Sequence, residues 1–465
     1  MSILKLPPLL APPIQSALEQ HTGLLHQLAK AFGSPVHVMF PESIQRNIHN
    51  FQTVLEKRSV EGHILYALKA NKSAVAADVS ANAGIGLDAS SLAELRHGLA
   101  HGAPGSRIGI TGPIKDARLL SLAALHGCLV TIDALSELIS FKNLLNRLDA
   151  SAQPRILLRW RPASQDTSRF GMPKAELDEC LQLLASSPRL KLEGFSFHLG
   201  GYSIEERAQG IVYLAAALER ARNAGFSCTK LNIGGGMTVS YLEAGTWREF
   251  LTKNAPELFH SGRTFADFYP YHTDFPGHQF LARLLDWPLS HGGTVAEMLR
   301  YKRLCLLLEP GRSLLDQAGI TLFRVRGMKR SNHGHGIVTV EGSSFSLSEQ
   351  WFNSEFLPDP LLLKAPGNTQ REPVLACVSG STCLEQDMVS WRKIAWEATP
   401  EPGDLLVYAN TAGYQMDSNE SAFHHNPIPE KIAVFQTPRG VVWVRDNEFS
   451  SLDMADGLHP GGQHV

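Results

Sequence analysis

The sequence predicts an α/β fold, in which a closed (β/α)8 barrel of parallel strands is followed by a smaller all-β domain. Over the first two thirds of the chain, short apolar runs alternate with helical patterns. Such alternation is typical of parallel sheets. After residue 312, short strand patterns follow one another without long helical patterns between them. A barrel of this kind takes about 250 residues, and an open doubly wound sheet is the alternative.

Each predicted barrel strand is an apolar run that ends at glycine, proline or a polar residue. The stretches between the runs place apolar residues at helical i, i+3 and i+4 spacing, as in SLAELRHGLAHG. The eight runs are HILYALKA (63–70), GIGLDA (84–89), RIGITG (107–112), CLVTIDA (128–134), RILLRWRP (155–162), LEGFSFHLG (192–200), KLNIGGG (230–236) and LCLLLEPGR (304–312).

These patterns divide the chain into three parts. Residues 1–41 are expected to form an N-terminal segment that packs on the β domain, 42–312 the barrel, and 313–465 the C-terminal β domain. The segment 259–280 lies between the last two barrel strands and is rich in histidine, tyrosine and phenylalanine. We expect it either to shape the mouth of a pocket or to form a surface loop.

Composition and charge exclude several classes of protein. The 465 residues include 43 Lys and Arg against 45 Asp and Glu, with no basic stripe of the kind that binds nucleic acid. No apolar run reaches the roughly 20 residues of a membrane span. The six cysteines are scattered without a CxxC pair, a usage typical of reduced thiols rather than disulfides or zinc ligands. We therefore expect a cytoplasmic protein without a metal site.

Residues with reactive side chains recur at the carboxyl ends of the predicted strands, where barrel enzymes build their active sites. They are Lys69, Asp88, His198, the glycine triplet 234–236 and the pair in EPGR (309–312). Each alone has a plain structural explanation, since a lysine at a strand end usually reaches solvent and a glycine run usually forms a turn. Their shared position is what indicates an active site.

These residue types suit a flat, phosphorylated cofactor. A lysine amine can form a Schiff base, and a histidine can stack on a ring. Glycine residues let backbone N–H groups approach a phosphate closely. In EPGR, the acid can pair with a heterocyclic cation and the arginine can bind phosphate or carboxylate. Neither GxGxxG nor GxxxxGK[ST] is present, so the dinucleotide and P-loop fingerprints are missing.

Eight short motifs then identify a family resemblance over roughly residues 40–430. They are YALKAN, LDASS, LLRWRP with SRFGM, FSFHLG, NIGGG, EPGR, GSTCLEQD and NTAGYQM. In this order the sequence resembles the fold-type III pyridoxal-phosphate (PLP) decarboxylases, which include the ornithine, diaminopimelate and biosynthetic arginine decarboxylases. The resemblance implies a TIM-like barrel similar to that of alanine racemase, PLP as cofactor, and an amino acid as substrate.

The resemblance also implies a role for the matching residues of the barrel. Lys69 would bind PLP covalently, and Asp88 would lie near this lysine and the cofactor. Arg159 would lie near the phenolic oxygen of PLP, and His198 would stack on its pyridine ring. The glycines implied to contact the phosphate are Gly234, Gly235 and Gly236. Gly311 is implied to bind the cofactor as part of EPGR, where it precedes Arg312.

The resemblance also implies roles for residues of EPGR and of the C-terminal part of the chain. Glu309 would pair with the pyridinium nitrogen, and Arg312 would lie near phosphate and substrate. Tyr414 would contact the phosphate, and Cys383 would be the general acid that gives a proton to Cα. In this family the cysteine segment reaches into the partner subunit's site, which implies a homodimer with composite active sites.

One departure from the family pattern bears on the substrate. The residue after the motif cysteine is Leu384, where the ornithine and diaminopimelate enzymes have an acid that helps to hold a distal ammonium group. Glu385 and Asp387 are close enough in sequence to compensate. An apolar side chain would leave such a cation without a partner, so we expect a substrate with an acylated distal amine. N-citrylornithine, from siderophore pathways of the rhizoferrin type, is the leading expectation.

Three alternatives stay open at this point. The first is an ordinary decarboxylase of free diaminopimelate, ornithine or lysine. The second is a PLP-dependent racemase of related fold, although racemases of the alanine type place arginine where this sequence has Glu309. The third is a non-catalytic homologue of a decarboxylase, against which the complete set of motif residues argues.

Overall fold

The computed structural model divides the chain into two compact units. The first, here called the β unit, comprises Met1–Ile44, Val239–Pro276 and Leu315–Val465. The second, the barrel unit, comprises Gln45–Thr238 and Gly277–Leu314. The residues that the structure describes are 4–148, 153–330, 334–347, 352–369, 371–417, 419–452, 454 and the backbone of 463–464.

The barrel unit contains a closed barrel of eight parallel strands, which confirms the predicted fold class. The first and last barrel strands pair directly, with Gly62 opposite Leu306. Apolar side chains such as Leu65, Leu157 and Leu307 form a buried cluster. Numbered along the chain, the barrel strands are β2 (Gly62–Ala67), β3 (Gly86–Ala89), β4 (Ile108–Ile110), β5 (Leu129–Ile132), β6 (Arg155–Arg159), β7 (Lys191–Ser196), β8 (Lys230–Asn232) and β9 (Cys305–Leu308).

Helices connect these strands, and polar caps fix several of their starts. Ser203, for example, accepts a hydrogen bond from the backbone N–H of Glu206, which satisfies an otherwise unpaired donor. No helix in the described ranges is both long and apolar enough to span a membrane. The helices are α3 (Pro41–Lys57), α4 (Ala74–Asn82), α5 (Leu92–Ala100), α6 (Ala117–Leu125), α7 (Leu135–Leu145), α8 (Lys174–Ala185), α9 (Ile204–Asn223), α11 (His278–Leu285) and α12 (Val295–Tyr301).

The β unit is built on a mixed sheet of ten strands. Its strand nearest the N-terminus, Val36–Met39, pairs antiparallel with Gly319–Arg330 and parallel with Lys431–Thr437. The N-terminal segment therefore contributes a strand to the interior of the sheet. The elements of this unit are β1 (Val36–Met39), β10 (Gly319–Arg330), β11 (Gly336–Val340), β12 (Leu361–Leu363), β13 (Val374–Ser379), β14 (Met388–Trp396), β15 (Leu405–Ala409), β16 (Lys431–Thr437), β17 (Gly440–Arg445), β18 (Gln463–His464), α1 (Pro12–Gln20), α2 (Thr22–Phe32) and α10 (Ala244–Lys253).

The segment Val239–Pro276 departs from the expected division, because it lies in the β unit although the expected barrel range included it. Tyr241, Trp247 and Tyr271 are buried in an aromatic cluster together with Phe356. The Tyr271 hydroxyl also donates to the Glu355 carbonyl at 2.9 Å. Phe259 and Tyr271 thus belong to the core of the β unit, and Phe265, Phe268 and Tyr269 pack against it, whereas Phe275 is exposed.

Candidate active site

Lys69 stands at the carboxyl end of the first barrel strand. It lies in a single 3-10 turn, Leu68–Ala70, in which its two neighbours are buried and its own side chain is exposed. The backbone N–H of Ala67 donates to the Pro310 carbonyl at 3.2 Å, so the turn is joined to the segment after β9. The lysine is therefore presented at the carboxyl end of β2 on a braced turn, whereas the sequence analysis placed it inside the strand run 63–70.

Asp88, in the neighbouring strand, is a buried carboxyl group. Its Oδ1 accepts a hydrogen bond from the Thr111 hydroxyl at 2.8 Å. Its Oδ2 has no hydrogen-bond partner among the described residues. Burial raises the pKa of Asp88 well above its usual range, and the charge of Glu309 raises it further, whereas Lys69 lowers it. The unpartnered oxygen is open to a polar group of a bound molecule or to an ordered water.

Asn232 and Glu309 are joined at the ends of β8 and β9. The Asn232 amide donates to Oε1 of Glu309 at 2.6 Å, and its Oδ1 accepts from the Gly234 N–H at 2.9 Å. The Glu309 N–H in turn donates to the Gly234 carbonyl at 2.9 Å. These bonds fix the orientation of a carboxyl group that is 9% exposed. The acid predicted to pair with a pyridinium nitrogen is thus held rigidly.

The glycine triplet 234–236 packs so closely on its neighbours that it has no room for side chains. A Cβ at the first glycine would lie 2.3 Å from Nδ1 of His198, and one at the second would lie 2.5 Å from the Glu309 carbonyl oxygen. A Cβ at the third would lie 2.2 Å from a guanidinium nitrogen of Arg207. The first and third glycines also have positive φ angles of 66° and 78°, which favour glycine. The loop is a backbone cradle of the kind that suits a phosphate.

His198 follows β7 and is a neutral imidazole at physiological pH. Burial lowers its pKa to about 3, and the positive charges of Lys69 and Arg159 add to this effect. The backbone N–H of Gly235 donates to its Nδ1 at 3.3 Å. We therefore assign the ring proton to Nε2. A neutral ring held in this way can stack on a flat cofactor without adding a charge.

Arg159 ends β6 within a cluster of charged and aromatic side chains. Its guanidinium donates to Asp133 at 3.1 Å and lies over the Phe170 ring at 4.6 Å. The Arg169 guanidinium lies over the same ring at 4.1 Å. Arg161, two residues after Arg159, donates to the Ser168 carbonyl at 3.1 Å. The end of β6 and the loop after it therefore carry three cations close together in sequence.

Arg207 is a site residue that the sequence analysis missed. It is fully buried on α9 and donates to the carbonyls of Gly201 at 3.0 Å and of Gly235 at 3.2 Å. Burial lowers its pKa to about 10, so it remains a cation at neutral pH. It therefore braces the glycine loop and places a positive charge beneath it. Sequence spacing could have indicated that Arg207 is buried. It lies four and seven residues before the buried Ile211 and Leu214, and therefore on the same face of α9.

Asp133 is a second residue that the sequence analysis missed, although it is the last residue but one of the predicted fourth strand. It lies just past β5 and is 5% exposed. Its carboxylate pairs with Arg159. A charged residue at the end of a barrel strand is the signal that could have found it.

The predicted cysteine segment lies in the β unit, in the turn between β13 and β14. Asp387 is buried there, and its Oδ1 accepts from the backbone and hydroxyl of Ser344 at 2.7 and 2.8 Å. Its Oδ2 accepts from the backbone and hydroxyl of Thr382 at 3.0 and 2.7 Å. Asp387 therefore fastens the turn, on which Cys383 is exposed. Along the same turn Leu384 is partly buried and Glu385 is exposed.

The remaining predicted residues fall in both units. Gly311 is buried after β9, with its carbonyl accepting from the Leu314 N–H at 3.1 Å, and Arg312 is partly buried beside it. Tyr414 lies in the β unit with a positive φ of 75°, and its carbonyl accepts from the Asp417 N–H at 3.0 Å. Their contacts with phosphate and substrate stay predictions.

The barrel residues fit PLP by their chemistry. The fit rests on an unpartnered carboxyl oxygen at Asp88, a neutral imidazole at His198, a fixed acid at Glu309, and a glycine cradle without space for a Cβ. Together with the exposed amine of Lys69, these groups can bind an aldehyde, a pyridine ring and a phosphate.

Comparisons with known proteins decide the family. Residues 41–260 match the family model described as the pyridoxal-binding domain of pyridoxal-dependent decarboxylases. An uncharacterized protein, y4yA, of Sinorhizobium fredii is 39% identical over 437 residues, covering 94% of this chain and 95% of its own length. The diaminopimelate decarboxylase of Bacillus subtilis is 24% identical over 431 residues, covering 88% of each chain.

The chain belongs to the pyridoxal-dependent decarboxylases. It is accordingly a PLP-dependent enzyme that decarboxylates an amino acid. The fold of this decarboxylase agrees with that of a solved relative, the diaminopimelate decarboxylase of M. jannaschii. The two superpose with a TM-score of 0.71 at 19% identity, over 90% of this chain and 91% of the other.

Proposed function

We propose that this decarboxylase acts on an ornithine-like amino acid whose distal amine is acylated, specifically N-citrylornithine, in a siderophore pathway of the rhizoferrin type. The observation that carries the proposal is Leu384, an apolar residue directly after Cys383. A distal ammonium group beside a leucine would lose its hydration without gaining a partner. An acylated amine is uncharged, so it avoids this penalty.

The neighbouring acids support this choice. Asp387 has both carboxylate oxygens engaged by Ser344 and Thr382, so its hydrogen-bonding capacity is used in its own turn. Glu385 is exposed and is the acid on which the alternative, a free diamino acid, would have to depend. The acid in the family motif is thus replaced by a residue that discriminates against a cation.

The arginines after β6 offer a second line of support. Arg161 and Arg169 lie eight residues apart in this loop, whereas Arg159, the last residue of β6, is paired with Asp133. Guanidinium groups bind carboxylates in bidentate fashion. A citryl group carries free carboxylates, whereas the distal end of ornithine or lysine carries a positive charge that these arginines would repel. The cationic loop therefore favours an anionic acyl group.

The roles of the chain's own residues follow from their positions. PLP, when bound, accepts the electron pair that is released as CO2 leaves. Lys69 supplies the amine that binds the cofactor's aldehyde. Glu309, which accepts a hydrogen bond from Asn232, would present a carboxylate to the proton on the pyridine nitrogen. His198, whose imidazole is neutral, would cover one face of the ring. Cys383 would give its thiol proton to the carbon that has lost CO2.

We further propose that the enzyme is a cytoplasmic homodimer with composite active sites, in which the Cys383 turn of one protomer serves the barrel of its partner. The six free thiols suit a reducing compartment. Mixing Lys69→Ala and Cys383→Ala protomers tests the dimer. Reassorted heterodimers would have one intact site each, which predicts about a quarter of the parent activity. Activity no greater than that of either variant alone would contradict composite sites.

The substrate is tested by measuring CO2 release from N-citrylornithine, ornithine, lysine and diaminopimelate with the purified, PLP-loaded enzyme. We expect turnover of the acylated substrate and only slow turnover of the three free diamino acids. Faster turnover of a free diamino acid would exclude the acyl-substrate proposal and favour the first alternative. Deuterium uptake from solvent into recovered substrate without CO2 release would favour the racemase alternative.

A further inference from the structure

We propose that His424 holds the thiol of Cys383 and returns its proton during turnover. This inference rests on the proposed role of Cys383 as general acid, and it assigns a positioning residue that none of the sequence motifs contains. Nε2 of His424 lies 3.0 Å from Sγ of Cys383, across 41 residues of sequence. Both side chains are exposed on the single chain, so in the proposed dimer the pair is free to face the partner's active site.

The backbone around His424 is held in an uncommon conformation. His424 and His425 have positive φ angles of 59° and 56°, a region that side chains other than glycine rarely adopt. Such strain persists only where surrounding contacts impose it, and it clusters at functional sites. The preceding Phe423 packs on Phe345, with ring centroids 6.1 Å apart. This contact anchors the strained segment while His424 reaches the sulfur.

The other partner is held equally firmly. The four hydrogen bonds to Asp387 fasten the turn that carries Cys383. A Cβ at Gly380 would lie 2.2 Å from an Asp387 carboxylate oxygen, which shows how tightly the turn closes on this residue. The contact between thiol and imidazole therefore joins two fixed segments of the β unit.

The proton balance explains what the pair does. Each loss of CO2 consumes one proton at carbon, and the S–H bond of Cys383 breaks to supply it. The thiolate that remains must be protonated before the next turnover. A doubly protonated imidazole at His424 gives its Nε2 proton to the sulfur and then regains a proton from water. One solvent proton is thus taken up for each CO2 released, and no other reactant is needed.

Alkylation of the thiol provides a test that does not depend on turnover. Cys383 is exposed on the single chain, whereas the other five cysteines are buried, so iodoacetamide, which is small enough to enter an active site, should label it selectively. We expect His424→Gln to slow its alkylation several-fold at neutral pH in the PLP-bound enzyme, because the imidazole no longer stabilises the thiolate. Mass spectrometry of the labelled peptide measures the rate. His425→Gln is the matched control and should alkylate at the parent rate, since it changes an adjacent exposed histidine with the same backbone conformation.

Steady-state kinetics separate this inference from the proposed function. We expect His424→Gln to lower kcat about a hundredfold, the lower end of one general acid–base contribution, with KM changed less than twofold. Retained activity in Cys383→Ala would contradict the proposed role of Cys383 as general acid. If Cys383→Ala is inactive while His424→Gln alkylates and turns over like the parent, the role of the cysteine survives and the inference about His424 is wrong. Retained PLP absorbance in each variant confirms that it has folded.

Discussion

Asn232 donates a hydrogen bond to Glu309 at 2.6 Å while its own oxygen accepts the Gly234 N–H. In the family that this sequence resembles, the corresponding motif is DxGGG, with an acid at the position of Asn232. A carboxylate could accept the Gly234 N–H equally well. It would face Glu309 with like charge, however, unless one of the two acids were protonated. The Asn232 amide thus keeps the hydrogen bond from the Gly234 N–H and adds a donor to the Glu309 carboxylate.

This relationship predicts the effect of Asn232→Ala. The substitution leaves the Gly234 N–H and one Glu309 oxygen without partners in a buried site, which should cost about 1–3 kcal/mol of the free energy of unfolding. PLP affinity should fall as well. Urea denaturation and PLP titration measure the two effects. Asn82→Ala, which removes an exposed amide on α4, is the control, and an equal loss there would contradict the argument.

The glycine cradle predicts that Gly235→Ala abolishes tight PLP binding. Its Cβ would lie 2.5 Å from the Glu309 carbonyl oxygen, and backbone atoms cannot move aside without opening the loop. We expect the PLP dissociation constant to rise at least tenfold. Gly245→Ala on α10 has open space around its Cβ and should bind PLP like the parent. Equal affinities in the two variants would mean that the loop does not hold the cofactor.

Arg207→Met tests the buried guanidinium under the same loop. The change leaves the carbonyls of Gly201 and Gly235 without donors and removes a positive charge. We expect a loss of about 2–4 kcal/mol in unfolding free energy together with weaker PLP binding. Arg220→Met, an exposed change on the same helix, should alter neither. A stable Arg207→Met variant with parental PLP affinity would show that the residue is dispensable.

The sequence allowed the barrel to be predicted because its strands and helices are encoded by local apolar periodicity. Lys69, His198 and Glu309 were predictable for the same reason, since each directly follows such a run. The placement of Val239–Pro276 was not predictable, because its aromatic residues are buried by contacts with distant parts of the chain. Contact between Cys383 and His424 depends in the same way on how the β unit folds.

The depressed pKa of His198 predicts how stability depends on pH. The unfolded imidazole binds a proton below about pH 6.5, whereas the folded one resists protonation until about pH 3. Acid therefore favours the unfolded state, and this contribution to stability is lost as the pH falls from 6.5 towards 3. His198→Gln should reduce the slope of unfolding free energy against pH between 6 and 4 by up to about 1.4 kcal/mol per pH unit.

Urea denaturation of the cofactor-free protein at several pH values measures that slope. His291→Gln changes an exposed histidine and should leave the slope as in the parent. His37 is fully buried, and burial also lowers its pKa to about 3. It contributes to the slope in the same direction and is present in both proteins. An unchanged slope in His198→Gln would mean that its imidazole titrates normally in the folded protein.

Leu384→Glu restores an acid at the position after the motif cysteine and tests the basis of substrate choice. If the leucine excludes a distal ammonium group, the variant should gain at least about tenfold in kcat/KM for ornithine, because an ion pair replaces an unpaired cation and about 1.4 kcal/mol gives a factor of ten. It should lose activity on N-citrylornithine, whose carboxylates the new acid repels. Leu251→Glu makes the same chemical change at an exposed leucine of α10 and should leave both values unchanged. Equal specificity in the parent and in Leu384→Glu would place the determinant elsewhere, with the arginines after β6 as the next residues to substitute.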